Sequence, residues 1–227
     1  MRKEKIAVDG KFSGYYREEC DKIASFYDFG AKLFYFPFGG ERKFRRMFVE
    51  FISPKSGERV LDVCCGTGTL SVLIAKKVGS RESIVGVDLS PEMIKVAKQK
   101  KKSFNIELVL ATAELLPFKD GSFDKALCSL GLHEMTKTGR QNSLKETRRI
   151  LKDNGKLHIC DWNTPEDHFS CFIEKLFLKI YEGETAYNMV FRGNFLEEIR
   201  KSGFKIIKRK TCSINILQMI LAKKDDT

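Results

Sequence analysis

Two stretches of this chain combine residue types and spacing suited to chemistry: Arg59 to Thr69, RVLDVCCGTGT, and Val85 to Ser90, VGVDLS. An apolar run enters a glycine turn, and a second apolar run about 20 residues on ends in an acid, the layout of a βαβ unit that holds a nucleoside. Gly66 and Gly68 let the backbone approach a ligand, the helix after them presents its N–H groups, and Asp88 can accept from two ribose hydroxyls. The implied ligand is an adenosine compound.

The turn departs from the dinucleotide pattern in an informative way. It reads Asp62-Val63-Cys64-Cys65-Gly66-Thr67-Gly68, with an acid ahead of the glycines. A carboxylate there repels a pyrophosphate and suits an ammonium group. S-adenosylmethionine carries such an ammonium, an uncharged ribose linker and an adenine. On these residues the chain resembles the class I methyltransferases, most closely the ubiquinone and menaquinone C-methyltransferases and the small phosphatidylethanolamine N-methyltransferases.

Further segments carry the resemblance in family order: ATAELLPFKDGSFD from Ala111, LHEM from Leu132, ETRRILKDNGKLHICDW from Glu146 and EEIRKSGFKIIKRK from Glu197. The Tyr27-Asp28 pair is similar to the YD of the quinone-methylating branch. The resemblance implies a cofactor site drawn from Tyr27, Asp62, Cys64, Gly66, Gly68, Asp88, Leu89, Met93, Thr112, Ala113, Glu114 and Ser129. It implies S-adenosylhomocysteine as product and no metal. Two positions depart from the pattern. Cys64 stands where Gly is usual, and Thr112 where Asp is usual, and a hydroxyl accepts from an adenine amino group less strongly than a carboxylate does.

Methyl transfer from a sulfonium is an in-line displacement, so the protein must align donor and nucleophile, exclude water and in some cases take a proton. Candidate catalytic residues are His133 and Glu134, just past the fourth strand, and Asp161, at the end of the fifth. His133 exchanges a proton most readily near neutral pH; its alternative is a structural histidine bonded to a backbone carbonyl. Glu134 suits capping or pairing as well as catalysis. Asp161 and Trp162 are expected to face the crevice, the acid binding an amine or hydroxyl and the indole stacking on a flat ring, or else to form a rim ion pair and a half-buried aromatic. Ser129 can accept from the cofactor ammonium or bond locally.

These groups need a scaffold. Strands are expected at 59–63, 83–88, 106–111, 123–130 and 156–161, alternating with helices at 70–78, 91–102 and 138–150. Ser90 is a natural N-cap with Pro91 at the first helical position, and Asp153-Asn154-Gly155 a turn before the fifth strand. Helices at 167–181 and 195–202 and a hairpin of 204–211 with 216–223 follow. The fold class is α/β: a doubly wound, Rossmann-like, mostly parallel seven-stranded sheet with a C-terminal antiparallel hairpin strand and an N-terminal helical extension. Residues 1–50 form that extension and cover the substrate, 51–227 form the S-adenosylmethionine-binding domain, and 163–194 a lid-like insertion.

At 227 residues the chain suits one α/β domain. It has no run of 18 apolar residues and no apolar N-terminal segment, which points to a cytoplasmic protein. Seven cysteines without a CxxC pair read as reduced thiols. The net charge of +11, from 41 Lys and Arg against 30 Asp and Glu, is scattered. It suits a solvated surface or peripheral contact with an anionic membrane, the latter supported by aromatic Phe34, Tyr35, Phe36 and Phe38 beside Arg42, Arg45 and Arg46. The expected acceptor is small and apolar or amphiphilic, a quinone-like ring or a lipid head group. The alternatives are methylation of RNA or protein, and cofactor binding without catalysis. Nucleic acid is not the expected partner, because the chain has no separate module for it and no NPPY-type tetrapeptide after the fourth strand.

Overall fold

The computed structural model describes residues 12–36, 39–79, 83–102, 104–165, 171, 175, 178, 183–212 and 215–225. Three helices lead: α1 (Phe12–Ile23), α2 (Tyr27–Tyr35) and α3 (Glu41–Ile52). In α3, Phe44, Phe48, Val49 and Ile52 are buried, the helical spacing that turns one face to a core. The sheet then alternates with its crossovers: β1 (Val60–Val63), α4 (Thr69–Val78), β2 (Ile84–Asp88), α5 (Pro91–Lys101), β3 (Ile106–Leu110), β4 (Phe123–Ser129), α6 (Lys137–Ile150) and β5 (Leu151–Trp162). After α7 (Gly183–Tyr187) and a π-helical turn over Asn188–Arg192 come α8 (Phe195–Lys201), β6 (Phe204–Cys212) and β7 (Leu217–Lys224).

The seven strands form one sheet in the order β3-β2-β1-β4-β5-β7-β6. The first five are parallel, and β7 enters antiparallel between β5 and β6. All four residues of β1 are buried, as are the first four of β2, which a parallel sheet covered on both faces demands. Helices α4 and α5 pack on β2 and each other, and α6 packs on β5 and α8. The strand order reverses at β1 and β4, so a crevice opens at their carboxyl ends. The sheet matches the expected doubly wound architecture with its antiparallel C-terminal strands.

Local signals hold at α5, where the Ser90 hydroxyl accepts from the Met93 N–H at 3.0 Å and Pro91 opens the helix. The Asp153-Asn154-Gly155 turn does not separate α6 from β5 as expected. Helix α6 ends at Ile150 and β5 begins at Leu151; between the pairs Phe123↔Leu151 and Lys125↔Lys156 the extra residues form a bulge. Turn-forming residues are tolerated inside a ladder when they bulge out of it. Gly155 makes this bulge close, since a Cβ there would lie 2.8 Å from the Lys152 carbonyl oxygen. Most of the expected helix over 167–181, and with it much of the 163–194 segment, lies outside the described residues, as do residues 1–11 and Phe38.

Candidate active site

The glycine turn is laced to the end of β2. The Cys65 N–H donates to the Val87 carbonyl at 2.9 Å. Asp88 accepts the Gly66 N–H on one carboxylate oxygen at 2.7 Å and the Ser90 N–H on the other at 2.9 Å. A carboxylate has about four acceptor positions, so Asp88 keeps capacity for ligand hydroxyls. Burial raises its pKa against those N–H bonds. Gly66 and Gly68 sit at φ 52 and 70, and Cys64 adopts φ 58, a left-handed conformation that costs a non-glycine residue roughly 1–2 kcal/mol. Gly68 also permits close packing, because a Cβ there would lie 3.0 Å from Ala97 Cβ.

The other expected cofactor residues take different positions. Asp62 is buried in β1, accepts from the Ser71 hydroxyl at 2.5 Å, and is pushed by burial up to a pKa of about 7. Cys64 bonds to the Cys128 thiol, which together with burial keeps it well above its ordinary pKa. Leu89 is half-buried and Met93 is buried in the first turn of α5. Thr112 and Ala113 are buried after β3, with the Thr112 hydroxyl accepting from the Glu114 N–H at 3.2 Å. The Glu114 carboxylate accepts from Asn142 of α6 at 3.0 Å. Ser129 ends β4, half-buried.

Sequence reasoning missed what ties the leading helices to this turn. Asp28 of α2 accepts from the Thr67 hydroxyl at 2.7 Å and pairs with Lys100 of α5 at 2.6 Å. Lys100 also donates to the Thr67 and Thr69 hydroxyls at 2.8 and 2.7 Å. Burial alone would raise the Asp28 pKa, but Lys100 and Thr67 hold it below the ordinary value. Asp21 of α1 accepts from the Ser90 hydroxyl at 2.5 Å. Burial raises the pKa of the Tyr27 phenol, and the Arg45 guanidinium opposes that rise. The Tyr27-Asp28 pair was the one available signal.

The opposite wall carries a buried dyad. His133 Nδ1 lies 2.8 Å from Asp161 Oδ1, and the two are 3% and 0% exposed. Asp161 also accepts the Trp162 N–H at 2.8 Å and, on its other oxygen, the Leu132 N–H at 3.1 Å. The expectation that Asp161 faces the crevice to bind an acceptor is therefore corrected: its carboxylate is spent on three groups inside the protein. Trp162 is 2% exposed, set edge-to-face against His133 at 6.1 Å and Phe34 of α2 at 5.8 Å, so it packs rather than offering a face to a ring. Both follow from pairing, since β5 stays hydrogen-bonded to β7 as far as Trp162↔Leu217. His133 bonds to this carboxylate, and Glu134 is half-buried beside it.

Asp88 keeps acceptor capacity at the carboxyl end of β2, beside the glycine turn that follows the buried Asp62, in a chain of net charge +11. That acceptor fits a ligand with ribose hydroxyls, and with the sheet order it matches a class I methyltransferase that uses S-adenosylmethionine. The chain belongs to the ubiE/COQ5 methyltransferase family, whose model matches residues 13–214. It is 38% identical over 169 residues to the ubiquinone/menaquinone biosynthesis C-methyltransferase UbiE of Geotalea uraniireducens, covering 72% of this chain and 70% of that protein. It is 37% identical over 151 residues to the 2-phytyl-1,4-naphtoquinone methyltransferase of Nostoc sp. PCC 7120, covering 65% and 64%. The fold superposes on a SAM-dependent methyltransferase from Aquifex aeolicus with TM-score 0.62 at 19% identity, covering 78% of this chain and 88% of that one.

Proposed function

We propose that this enzyme methylates a ring carbon of a quinol-like acceptor. The observation that carries the reading is the buried His133–Asp161 pair at the carboxyl ends of β4 and β5; the quinone names of the relatives agree with it. S-adenosylmethionine, when bound, supplies an electrophilic methyl group on a sulfonium. Asp88 binds its ribose, Thr112 and Ala113 edge its adenine, and Asp62 and Glu134 complement its positive charge. Asp161 fixes the orientation and tautomer of His133 and stabilises its protonated form. With Nδ1 committed to Asp161, His133 takes a proton from the acceptor at Nε2, raising electron density at the ring carbon. Glu134 and Tyr27 shape the adjoining wall.

The test is anaerobic transfer of labelled methyl from S-adenosylmethionine to short-chain naphthoquinol and benzoquinol, against an aminophospholipid and bulk tRNA. Label in a quinol, at a carbon by NMR, supports the reading. Label only in the lipid amine or the RNA, or turnover of none, overturns it.

A prenylated acceptor also needs a route from lipid, and the exposed face of α2 supplies one in this reading. Phe26, Phe29, Leu33 and Phe36 are 73, 71, 68 and 77% exposed, spaced as one helical face. Exposed Lys32, Arg42, Lys43 and Arg46 accompany them. No described helix is long and apolar enough to cross a membrane, so the contact is peripheral, an apolar stripe entering an anionic surface. Sedimentation with phosphatidylglycerol vesicles checks it: Phe29→Ser with Leu33→Ser is expected to abolish binding, and undiminished binding would remove this part of the proposal.

A further inference from the structure

At the amino ends of β4 and β5, the opposite end of the sheet from His133, the register builds an unusual row. Lys125 of β4 pairs with Lys156 of β5, Lys156 with Lys223 of β7, and Lys223 with Lys205 of β6. Register partners project from one face, and strands lie about 4.8 Å apart, so four lysines align within about 14 Å. Like charges directly opposite one another are unfavourable. Lys125 is neutralised by Glu58 at 2.7 Å and donates to the Ser53 carbonyl at 2.6 Å. Lys156, Lys205 and Lys223 make no ion pair among the described residues.

Beside this row is a cavity of about 310 Å³, whose lining includes Lys55, Lys125, Lys156 and His158 together with the carboxylates Glu58 and Asp124. Lys152, also at its edge, is compensated by Asp124 at 2.6 Å. His158 is the telling member. It is 2% exposed, packs edge-to-face on Phe51 at 6.0 Å, and neither ring nitrogen has a hydrogen-bond partner among the described residues. Buried polar atoms are nearly always satisfied, and an imidazole left without partners carries a desolvation cost that a ligand can remove. Burial chiefly, with Lys125 and Lys156 nearby, holds the ring neutral, down to a pKa of about 3. A neutral imidazole still donates one N–H.

We propose that this cavity is a binding site for a phosphoryl oxyanion, seated between Lys55, Lys156 and the buried imidazole of His158. A tetrahedral phosphoryl group presents acceptor oxygens in several directions, as divergent donors require, and its charge matches Lys55 and Lys156, neither of which makes an ion pair among the described residues. Ammonium groups bind such an ion as point charges. The site is separate from the active-site crevice and does not depend on the identity of the methyl acceptor.

Calorimetric titration of the full chain with inorganic phosphate at fixed ionic strength, with chloride as control, tests it. Saturable binding is expected, weakened about tenfold by Lys156→Gln or Lys55→Gln, the loss of one charge-assisted contact, with affinity for S-adenosylmethionine unchanged. Both side chains are exposed, so folding is not at stake. Phosphate should also shift the His158 ring resonances, which a purely structural histidine would not show. Vesicles containing phosphatidic acid separate the two sources. Capture lost in Lys156→Gln, without binding of free phosphate, makes the phosphoryl group a lipid's; binding of free phosphate makes the ligand soluble. Unsaturable titration together with vesicle capture indifferent to both substitutions, or phosphate binding equally tight in the variants, would overturn the proposal.

Discussion

Replacing Asp161 by Asn separates the charge of the dyad from its shape. Asp161 Oδ1 accepts from His133 Nδ1 and the Trp162 N–H, both at 2.8 Å, and Oδ2 accepts from the Leu132 N–H at 3.1 Å. An amide keeps one acceptor oxygen. With that oxygen in the Oδ1 position, the new NH2 faces the Leu132 N–H, leaving a buried donor unpaired at about 1–3 kcal/mol. The two remaining bonds lose their charge assistance, adding roughly 1 kcal/mol. A total near 3 kcal/mol corresponds to a melting temperature lower by about 9 °C in a domain of this size. Chemistry should suffer more, because His133 loses the group that fixes its tautomer and stabilises its cation. A fall in kcat of about 100-fold or greater is expected, with the dissociation constant of S-adenosylmethionine unchanged. The assays are calorimetric unfolding, cofactor titration and methyl transfer to a short-chain quinol. If Asp161 acts through His133, combining His133→Asn with Asp161→Asn costs little more than His133→Asn alone. A variant that melts low yet turns over within about threefold of the parent would refute the argument and leave the dyad purely structural.

Asp28→Ala should uncouple α2 from the glycine turn, weakening S-adenosylmethionine binding about tenfold by loss of a paired, partly buried carboxylate, and hydrogen exchange should rise in α2 before it rises in β1. For Asp62, burial lifts the folded pKa from 3.8 to about 7, while Ser71 and Arg45 oppose that and Asp88 reinforces it. The folded state therefore holds this proton over pH values at which the unfolded chain has released it, so the stability it contributes is full below pH 3.8 and lost as pH rises toward 7. Cofactor affinity runs the other way, strengthening as the carboxylate ionises through about pH 7, and calorimetric titrations of Asp62→Asn should show that slope removed. Cys64→Gly should raise the melting temperature by about 3 °C, by relieving roughly 1 kcal/mol of left-handed strain; no change in differential scanning calorimetry would show the turn to be unstrained.

Much of this molecule is legible from local signals, and what is not legible depends on distant pairing. The βαβ unit declares itself because glycines, an apolar run and Asp88 must follow one another in the chain, and Ser90-Pro91 marks a helix start by the chemistry of two residues. Asp153-Asn154-Gly155 misleads because the same residues that turn a chain can bulge from a ladder, and only the β4 partner distinguishes the two. His133 and Asp161 were legible as candidates but not as partners: they are 28 positions apart, and the burial of Asp161 depends on β7 arriving from further along. The Asp28–Thr67 bond spans 39 positions and the lysine row spans four strands, so neither has any local signature.

Because Asp28 joins α2 to Thr67, and Asp21 joins α1 to Ser90, the leading helices and the cofactor turn are thermodynamically coupled. Whatever holds α2 in place also stiffens the glycine turn, and a ligand that orders this turn would in turn hold α2; linkage makes the two effects equal in free energy. A bilayer engaging the apolar stripe of α2 would then be an effector as well as a source of substrate, tightening cofactor binding when the enzyme is docked and slackening it when the enzyme is adrift.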